Sequence, residues 1–219
     1  MENQDQIINK TKEFVFNKLK DDSSGHDWWH SFRVWNIAKK IGREEKANLF
    51  TVELAALLHD IADWKLNNGD YTKSDKIIDE WLSIFNIDQS QITEIQNIIH
   101  SISFKGAGVK SQENLSIEAK VVQDADRLDA LGAIGIARTF AYGGKFDRAI
   151  HDPGEKPVLH STSESYLNSK STSINHFYEK LLIIKDRMNT KTAKNIAIHR
   201  HQFLLFYLDE FHKEWNGLD

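Results

Sequence analysis

The sequence contains no cysteine, which excludes disulfide bridges, thiolate catalysis and any cysteine-ligated zinc site. A metal ion in this protein would therefore need His, Asp and Glu ligands. The first residues, MENQDQIINKTKEFVF, lack a charged stretch followed by an apolar one, and no run approaches the about 18 apolar residues of a membrane span. We therefore expect a cytoplasmic protein without a membrane partner.

Charge of one sign is also lacking, because 28 basic residues stand against 32 acidic ones, for a net charge of −4. A chain without a run of Lys or Arg lacks the electrostatic footprint of a protein that grips duplex nucleic acid. A small nucleotide is not excluded by this argument. The length of 219 residues allows a sizeable core, and we expect one domain over 1–219.

Proline and glycine are scarce, at 2 and 11 residues, and apolar residues recur at helical spacing almost everywhere. This pattern predicts an all-α protein. The stretch 142–170 departs from it, since it holds both prolines and a Ser-rich end, and it predicts a long loop that covers a site or contacts another subunit. The predicted helices are Asp5–Lys20, Asp27–Glu44, Ala47–Ala62, Tyr71–Phe85, Ser90–Ser101, Ser116–Ala130, Ile134–Ala141, Ser171–Met188 and Thr190–Trp215.

The segment GHDWWHSFRVWNIAKKIG places His26 and His30 four residues apart, on one face of a predicted helix. His30 shares its stripe with Val34, Ala38 and Ile41, so its imidazole is expected to face the core. A buried histidine is either a metal ligand or a hydrogen-bonded core residue. His30 alone does not distinguish these two interpretations.

The segment ELAALLHDIADWK ends an apolar predicted helix with the adjacent pair His59 and Asp60. An unpaired buried carboxylate is costly, whereas a divalent cation compensates for burial through direct coordination. In the competing interpretation the pair only ends the helix, but Asp60 would then meet the negative end of the helix dipole. We therefore interpret both residues as metal ligands.

The segment EAKVVQDADRLDALGAIGIAR embeds Asp124, Asp126, Arg127 and Asp129 in an otherwise apolar predicted helix. Asp124 and Asp126 point to roughly opposite sides of that helix, so only one can readily face an ion, and periodicity leaves open which. Two imidazoles and two carboxylates suit Mn²⁺, Mg²⁺, Co²⁺, Zn²⁺, Ni²⁺ or Fe²⁺, with positions left for water. Such an open site indicates catalysis.

The three blocks GHDWWHxxRVW, HDIxDxK and VVQDADRLDALGAIGIAR together resemble the HD-domain phosphohydrolase superfamily, and within it a bacterial subgroup that carries these motifs. The resemblance covers most of the chain. It implies a single-domain HD-type helical bundle with a metal core at about 26–140, the loop 142–170 and C-terminal helices at 171–215. It also implies His30, His59 and Asp60 as ligands and selects Asp126 as the fourth.

The same resemblance implies roles around the metal. Asp63 corresponds to an acidic residue used for proton transfer, although a solvated position at a helix end is the competing interpretation. His26 becomes a neighbour of the ligands or a substrate contact. His100 in HSISFKG resembles a recurrent histidine that lines the pocket, and it can equally be a packing residue.

Three cations are candidates for contacting phosphate, because positive charge stabilises the developing negative charge during phosphoryl transfer. Lys65 and Lys105 can also be ordinary surface residues. Arg127 lies in an apolar helix, so we assign it to the catalytic centre, with a structural pair to Asp129 as the alternative.

The resemblance implies hydrolysis of a small phosphorylated metabolite, a nucleotide above all, with release of either pyrophosphate or a terminal phosphate. Cyclic-nucleotide cleavage is disfavoured, because the further motif histidines of two-metal members are not evident. The alternatives are a noncatalytic regulatory HD module, in which damaged ligand positions would be expected, and an HD-type di-iron oxygenase, which needs more ligands. The sequence leaves open whether the protein forms a homodimer.

Overall fold

The computed structural model describes residues 3–21, 27–61, 71–102, 114–159, 162 and 171–218. All regular secondary structure in those ranges is helical, which confirms the all-α prediction. No helix within this described part is long and apolar enough to cross a membrane. The α-helices are α1 (Gln4–Leu19), α2 (Trp28–Glu44), α3 (Leu49–Leu58), α4 (Thr72–Ser83), α5 (Gln89–Ile102), α6 (Ile117–Asp129), α7 (Gly132–Lys145), α8 (Ser173–His176), α9 (Leu182–Ile184) and α10 (Lys191–Asn216).

Residue contacts divide the described chain into two compact units. The first contains the described residues up to 102 together with 114–126, and the second contains the described residues from 127 onwards. Helices α1 to α5 and most of α6 therefore belong to the first unit, and α7 to α10 belong to the second. That the whole chain acts as one domain stays a prediction.

Helix α2 begins at an aspartate cap. The carboxylate of Asp27 accepts a hydrogen bond of 2.9 Å from the backbone N–H of His30. Asp is favoured at this position because its side chain satisfies a backbone donor that has no partner within the helix. Val34, Ala38 and Ile41 form a fully buried stripe, and His30 is fully buried with them, as the periodicity predicts.

Helix α3 is apolar on nearly every side, and such a helix is stable only when it is buried all round. The side chain of Asn48 caps its first turn. The sequence predicts a longer helix, but the regular helix ends at Leu58, and the N–H of Ile61 donates to the carbonyl of Leu58 in a tight turn. This turn carries His59 and Asp60.

The predicted loop begins four residues later than the sequence indicates, because α7 continues through Gly143 and Gly144 to Lys145. A glycine inside a helix costs only about 0.5–1 kcal/mol relative to alanine, which tertiary packing can outweigh. Here the hydroxyl of Ser173 occupies the space that a Cβ at Gly143 would need. The absence of a side chain at Gly143 thus lets α7 approach the start of α8.

The predicted helix over Ser171–Met188 is in fact interrupted. After α8 comes a π turn at Phe177–Leu181, then α9 and a 3₁₀ turn at Lys185–Arg187. A π turn accommodates an extra residue within a helix. In this turn the buried carboxylate of Glu179 accepts hydrogen bonds from the Ser171 hydroxyl, at 2.8 Å, and from the backbone N–H of Val158, at 3.0 Å.

Two glycines in α7, one closely packed and one exposed to open space, offer a matched test of the packing at the start of this helix. A Cβ at Gly135 would lie 2.2 Å from the carbonyl oxygen of Ala130, whereas a Cβ at Gly144 would meet nothing within 4 Å. Gly135→Ala should therefore lower the free energy of unfolding by about 1–3 kcal/mol. Gly144→Ala should raise it by up to about 1 kcal/mol. Urea denaturation measures both, and equal stability of the two variants would contradict the close approach of Gly135 to Ala130.

Candidate metal centre

Four of the predicted site residues converge within the first unit. His30 comes from α2, His59 and Asp60 from the turn after α3, and Asp126 from α6. The side chain of His30 is 0% exposed and that of Asp126 is 29% exposed. The cluster is thus buried at His30 and reaches solvent at Asp126.

The Nε2 atom of His30 is the shared vertex of the cluster. It lies 3.2 Å from Nε2 of His59, 3.3 Å from Oδ2 of Asp60 and 3.4 Å from Oδ1 of Asp126. Nε2 of His59 is in turn 3.3 Å from Oδ2 of Asp60. Two imidazole nitrogens and two carboxylate oxygens therefore face one small region.

The ring of His59 is held in one orientation by a backbone contact. Its Nδ1 atom lies 2.9 Å from the carbonyl oxygen of Ala56. A carbonyl oxygen only accepts, so Nδ1 carries the hydrogen, and in the neutral ring Nε2 presents its lone pair to the cluster. A metal-binding histidine typically donates the hydrogen of its other ring nitrogen to such an acceptor, which fixes the orientation of the ring.

Electrostatics keep the cluster in a charged form. Burial alone would lower the pKa of His59, but the negative charge of Asp60 and a hydrogen bond to it outweigh burial, so that pKa is raised. Burial alone would raise the pKa of Asp126, but the hydrogen bond to His30 and the charge of that ring hold it well below its usual range. Asp126 is therefore ionised at neutral pH, which is the form that binds a cation.

The donor set fits a divalent ion better than a network of hydrogen bonds. An imidazole nitrogen carries at most one hydrogen, so Nε2 of His30 cannot donate to all three neighbours. Ligands at about 2.0–2.2 Å from an ion, about 90–110° apart, are separated by about 2.8–3.6 Å. The separations of 3.2–3.4 Å in the cluster match that range. His30, His59 and Asp60 each offer a ligand atom within 4.8 Å of the other two, so these three residues could hold an ion together. Asp126 lies beside this group through its contact with His30, and we predict it as the fourth ligand.

The two candidates for the fourth ligand are placed differently. Asp126 reaches the cluster through its contact with His30. Asp124 is fully buried, whereas the side chain of Asp126 is 29% exposed. The geometry therefore favours Asp126, and its role as a ligand stays a prediction.

The remaining predicted site residues fall into two groups. His100 belongs to the first unit, where its Nε2 atom lies 2.8 Å from Oδ1 of Asp75. Arg127 belongs to the second unit, where it is buried and donates to the backbone carbonyl of Arg187, while Asp129 pairs with Arg138 at 2.8 Å. The predicted residues that lie outside the described part of the chain are His26, Asp63, Lys65 and Lys105.

Asp75, the partner of His100, carries no signal in the sequence. This residue lies in the first turn of α4, where an acidic side chain is common because it complements the helix dipole. Its contact with His100 joins two different helices, and no local spacing reveals such a pair. Only co-variation between homologues could have signalled it.

Comparison with known proteins places the chain in a described family. The model of the HD domain matches residues 28–131, which span His30 to the end of the Asp-rich helix. The protein YpgQ of Bacillus subtilis (strain 168) is 40% identical over 201 residues, covering 92% of this chain and 90% of YpgQ. A crystal structure of YpgQ in complex with ADP covers 97% of this chain with a TM-score of 0.74.

Two further crystal structures extend over nearly the whole chain. A protein from Lactobacillus plantarum is 38% identical, with a TM-score of 0.85 and coverage of 99% of this chain and 100% of that one. An HD-superfamily hydrolase from Bacillus thuringiensis is 42% identical, with a TM-score of 0.76 and coverage of 98% and 99%. The relatives thus share both the fold and the length of this chain.

The choice between the two acidic residues can be tested by metal analysis. Asp126→Asn should weaken manganese binding by more than about 100-fold, because it removes a ligand oxygen charge rather than an outer contact. Asp124→Asn makes the same chemical change two residues earlier in the same helix and should leave manganese affinity unchanged. Titration calorimetry on the two folded variants decides the matter, and full affinity in Asp126→Asn would refute this assignment.

Proposed function

Because the chain belongs to the HD superfamily, we propose that it is a metal-dependent phosphohydrolase that acts on a small phosphorylated metabolite, with a nucleotide as the substrate. The observation that carries this proposal is the group of His30, His59 and Asp60, whose ligand atoms lie 3.2–3.3 Å apart, with Asp126 at 3.4 Å from His30. The HD-superfamily hydrolase from Bacillus thuringiensis supports the reaction class. The ADP complex of YpgQ supports the nucleotide.

The charge of the ligand set suits an anionic substrate. Two neutral imidazoles and two carboxylates carry a charge of −2, which a divalent ion cancels, so a phosphate group would meet no net repulsion. When bound, such an ion polarises a phosphate oxygen and makes water a stronger nucleophile at neutral pH. The exposed edge at Asp126 leaves an approach for both water and substrate.

Several side chains have distinct tasks in the proposed reaction. Hydrogen bonding to Ala56 fixes the ring of His59, so the centre does not have to reorganise when substrate binds. Asp63 takes the proton of the attacking water. We propose that Lys65, Lys105 and Arg127 neutralise phosphate oxygens and that His26 contacts the substrate.

Both cleavage positions of a nucleoside triphosphate remain compatible with this chemistry. Attack at the inner phosphorus releases pyrophosphate, whereas attack at the terminal phosphorus releases inorganic phosphate. The same four side chains serve either reaction, since the substrate's placement alone decides which bond breaks. The identity of the products therefore has to be measured.

A nucleotide panel tests the proposed function. Metal-free protein is supplied singly with Mn²⁺, Mg²⁺, Co²⁺, Zn²⁺, Ni²⁺ or Fe²⁺, and phosphate and pyrophosphate release are measured on ribo- and deoxyribonucleotides. We expect release with at least one metal, and its complete loss in Asp60→Ala, which removes a ligand. Lys76→Ala, which alters only an exposed ion pair on α4, serves as the control.

The outcomes of the panel separate the candidate functions. Release that survives in Asp60→Ala would point to a contaminating enzyme and contradict the proposal. If the protein binds metal but releases neither phosphate nor pyrophosphate from any nucleotide, the result would favour the regulatory HD module. Two bound irons per chain with oxygen consumption would favour the oxygenase.

A further inference from the structure

His100 and Asp75 form a close pair in the first unit. Nε2 of His100 lies 2.8 Å from Oδ1 of Asp75. A carboxylate only accepts hydrogen bonds, so Nε2 carries the hydrogen and Nδ1 is the ring nitrogen that faces away from Asp75. The ring of Tyr71 lies against the His100 ring, with centroids 4.2 Å apart and a tilt of 41°. The imidazole of His100 is thus hydrogen-bonded to Asp75 at one edge and packed against Tyr71 on one face.

The pair is accessible from solvent. The side chain of His100 is 34% exposed and that of Asp75 is 32% exposed. The backbone around Asp75 is fixed as well, because the side chain of Gln96 donates to its carbonyl oxygen at 3.1 Å. A positioned imidazole with an open nitrogen can reach a bound molecule.

Two side-chain contacts fix the direction of α5 relative to the metal cluster. Near the start of α5, the amide of Gln91 donates to the hydroxyl of Thr51, near the start of α3, at 3.3 Å. Near the end of α5, the carbonyl of Ser101 accepts from the amide of Gln123 on α6 at 2.6 Å. Gln123 precedes Asp126 by three residues, which is about one helical turn.

These contacts indicate that His100 lies about as far along α5 as the cluster lies along α3. Since α5 starts beside the start of α3 and ends beside the helix that supplies Asp126, α3 and α5 run in the same direction. His100 follows Gln91 by nine residues, and Asp60 follows Thr51 by nine residues. At about 1.5 Å of rise per residue, His100 lies about 13 Å along α5 from this contact, and α3 ends about 10 Å from it at Leu58, just before the turn that carries Asp60.

We propose that His100 is the proton donor to the leaving oxygen in the phosphohydrolase reaction and that Asp75 is its positioning residue. The proposal rests on the function proposed above. As the bond from water to phosphorus forms, the bond from phosphorus to the leaving oxygen breaks, and that oxygen takes its electron pair. Nδ1 of His100 gives it a proton, while the hydrogen on Nε2 stays on the ring and hydrogen-bonded to Asp75. Asp63 takes the proton of the water and releases it to solvent, and His100 takes up a proton from solvent before the next turnover.

The carboxylate of Asp75 holds the ring of His100 in the way that a carboxylate orients a catalytic histidine. Such a partner fixes the tautomer and ring direction of a histidine and stabilises the ring while it carries both protons. The competing interpretation is that the pair only ties α4 to α5. The same two helices have such a tie elsewhere, from the amide of Gln89 to Oδ1 of Asp79 at 3.0 Å. That second tie supplies a matched control.

The test measures kcat and KM of the full chain, with manganese, on the nucleotide that the panel shows to be hydrolysed fastest. His100→Gln should lower kcat by about 10²-fold or more, with KM and bound manganese unchanged. Asp75→Asn should lower kcat by about 10–100-fold. Asp79→Asn, the same chemical change one turn further along α4, should leave kcat unchanged.

Added imidazole distinguishes a proton donor from a structural tie. It should restore part of the kcat of His100→Ala, because the site is open to solvent, and should restore none in Asp60→Ala. Wild-type kcat in His100→Gln, a loss confined to KM, or absence of rescue would overturn the dyad while leaving the hydrolase intact. Silence of the wild-type protein on every nucleotide would overturn both proposals together.

Discussion

The proposed metal centre depends on the surroundings of one atom, Nε2 of His30. Nε2 of His30 lies inside the first unit and faces a second imidazole and two carboxylates at 3.2–3.4 Å. A nitrogen with at most one hydrogen cannot satisfy three such neighbours, and carboxylates largely withdrawn from water are costly without compensation. A divalent cation coordinated by these atoms would remove the need for hydrogens on Nε2 and would compensate the charge of the carboxylates. The proposed chemistry follows from the same requirement, because a cation that stabilises this cluster also attracts phosphate.

The surrounding helices deliver these atoms through burial and capping. Helix α3 is held in place by being apolar on nearly every side, and it ends at Leu58, so His59 and Asp60 fall in a turn rather than in the helix. Asp27 caps α2 on the N–H of His30 itself. The contact of Gln123 with Ser101 brings the end of α5 beside α6, which joins the proposed proton donor to the proposed metal centre.

The sequence predicts those parts of the site that local spacing encodes. Helical periodicity places His30 on a buried stripe, and the apolar run before His59 predicts that His59 and Asp60 follow a buried helix. Periodicity cannot choose between Asp124 and Asp126, because both sides of that helix are apolar. It also cannot foresee the contact of His100 with Asp75 across two helices. The π turn and the continuation of α7 through its glycines arise from tertiary packing, which local propensity does not contain.

The most direct test of this account is a crystal of the manganese-loaded protein, examined by anomalous diffraction at the manganese edge. The account predicts one ion within about 2.0–2.3 Å of Nε2 of His30, Nε2 of His59 and carboxylate oxygens of Asp60 and Asp126. An ion bound elsewhere, or one coordinated without His30, would contradict it.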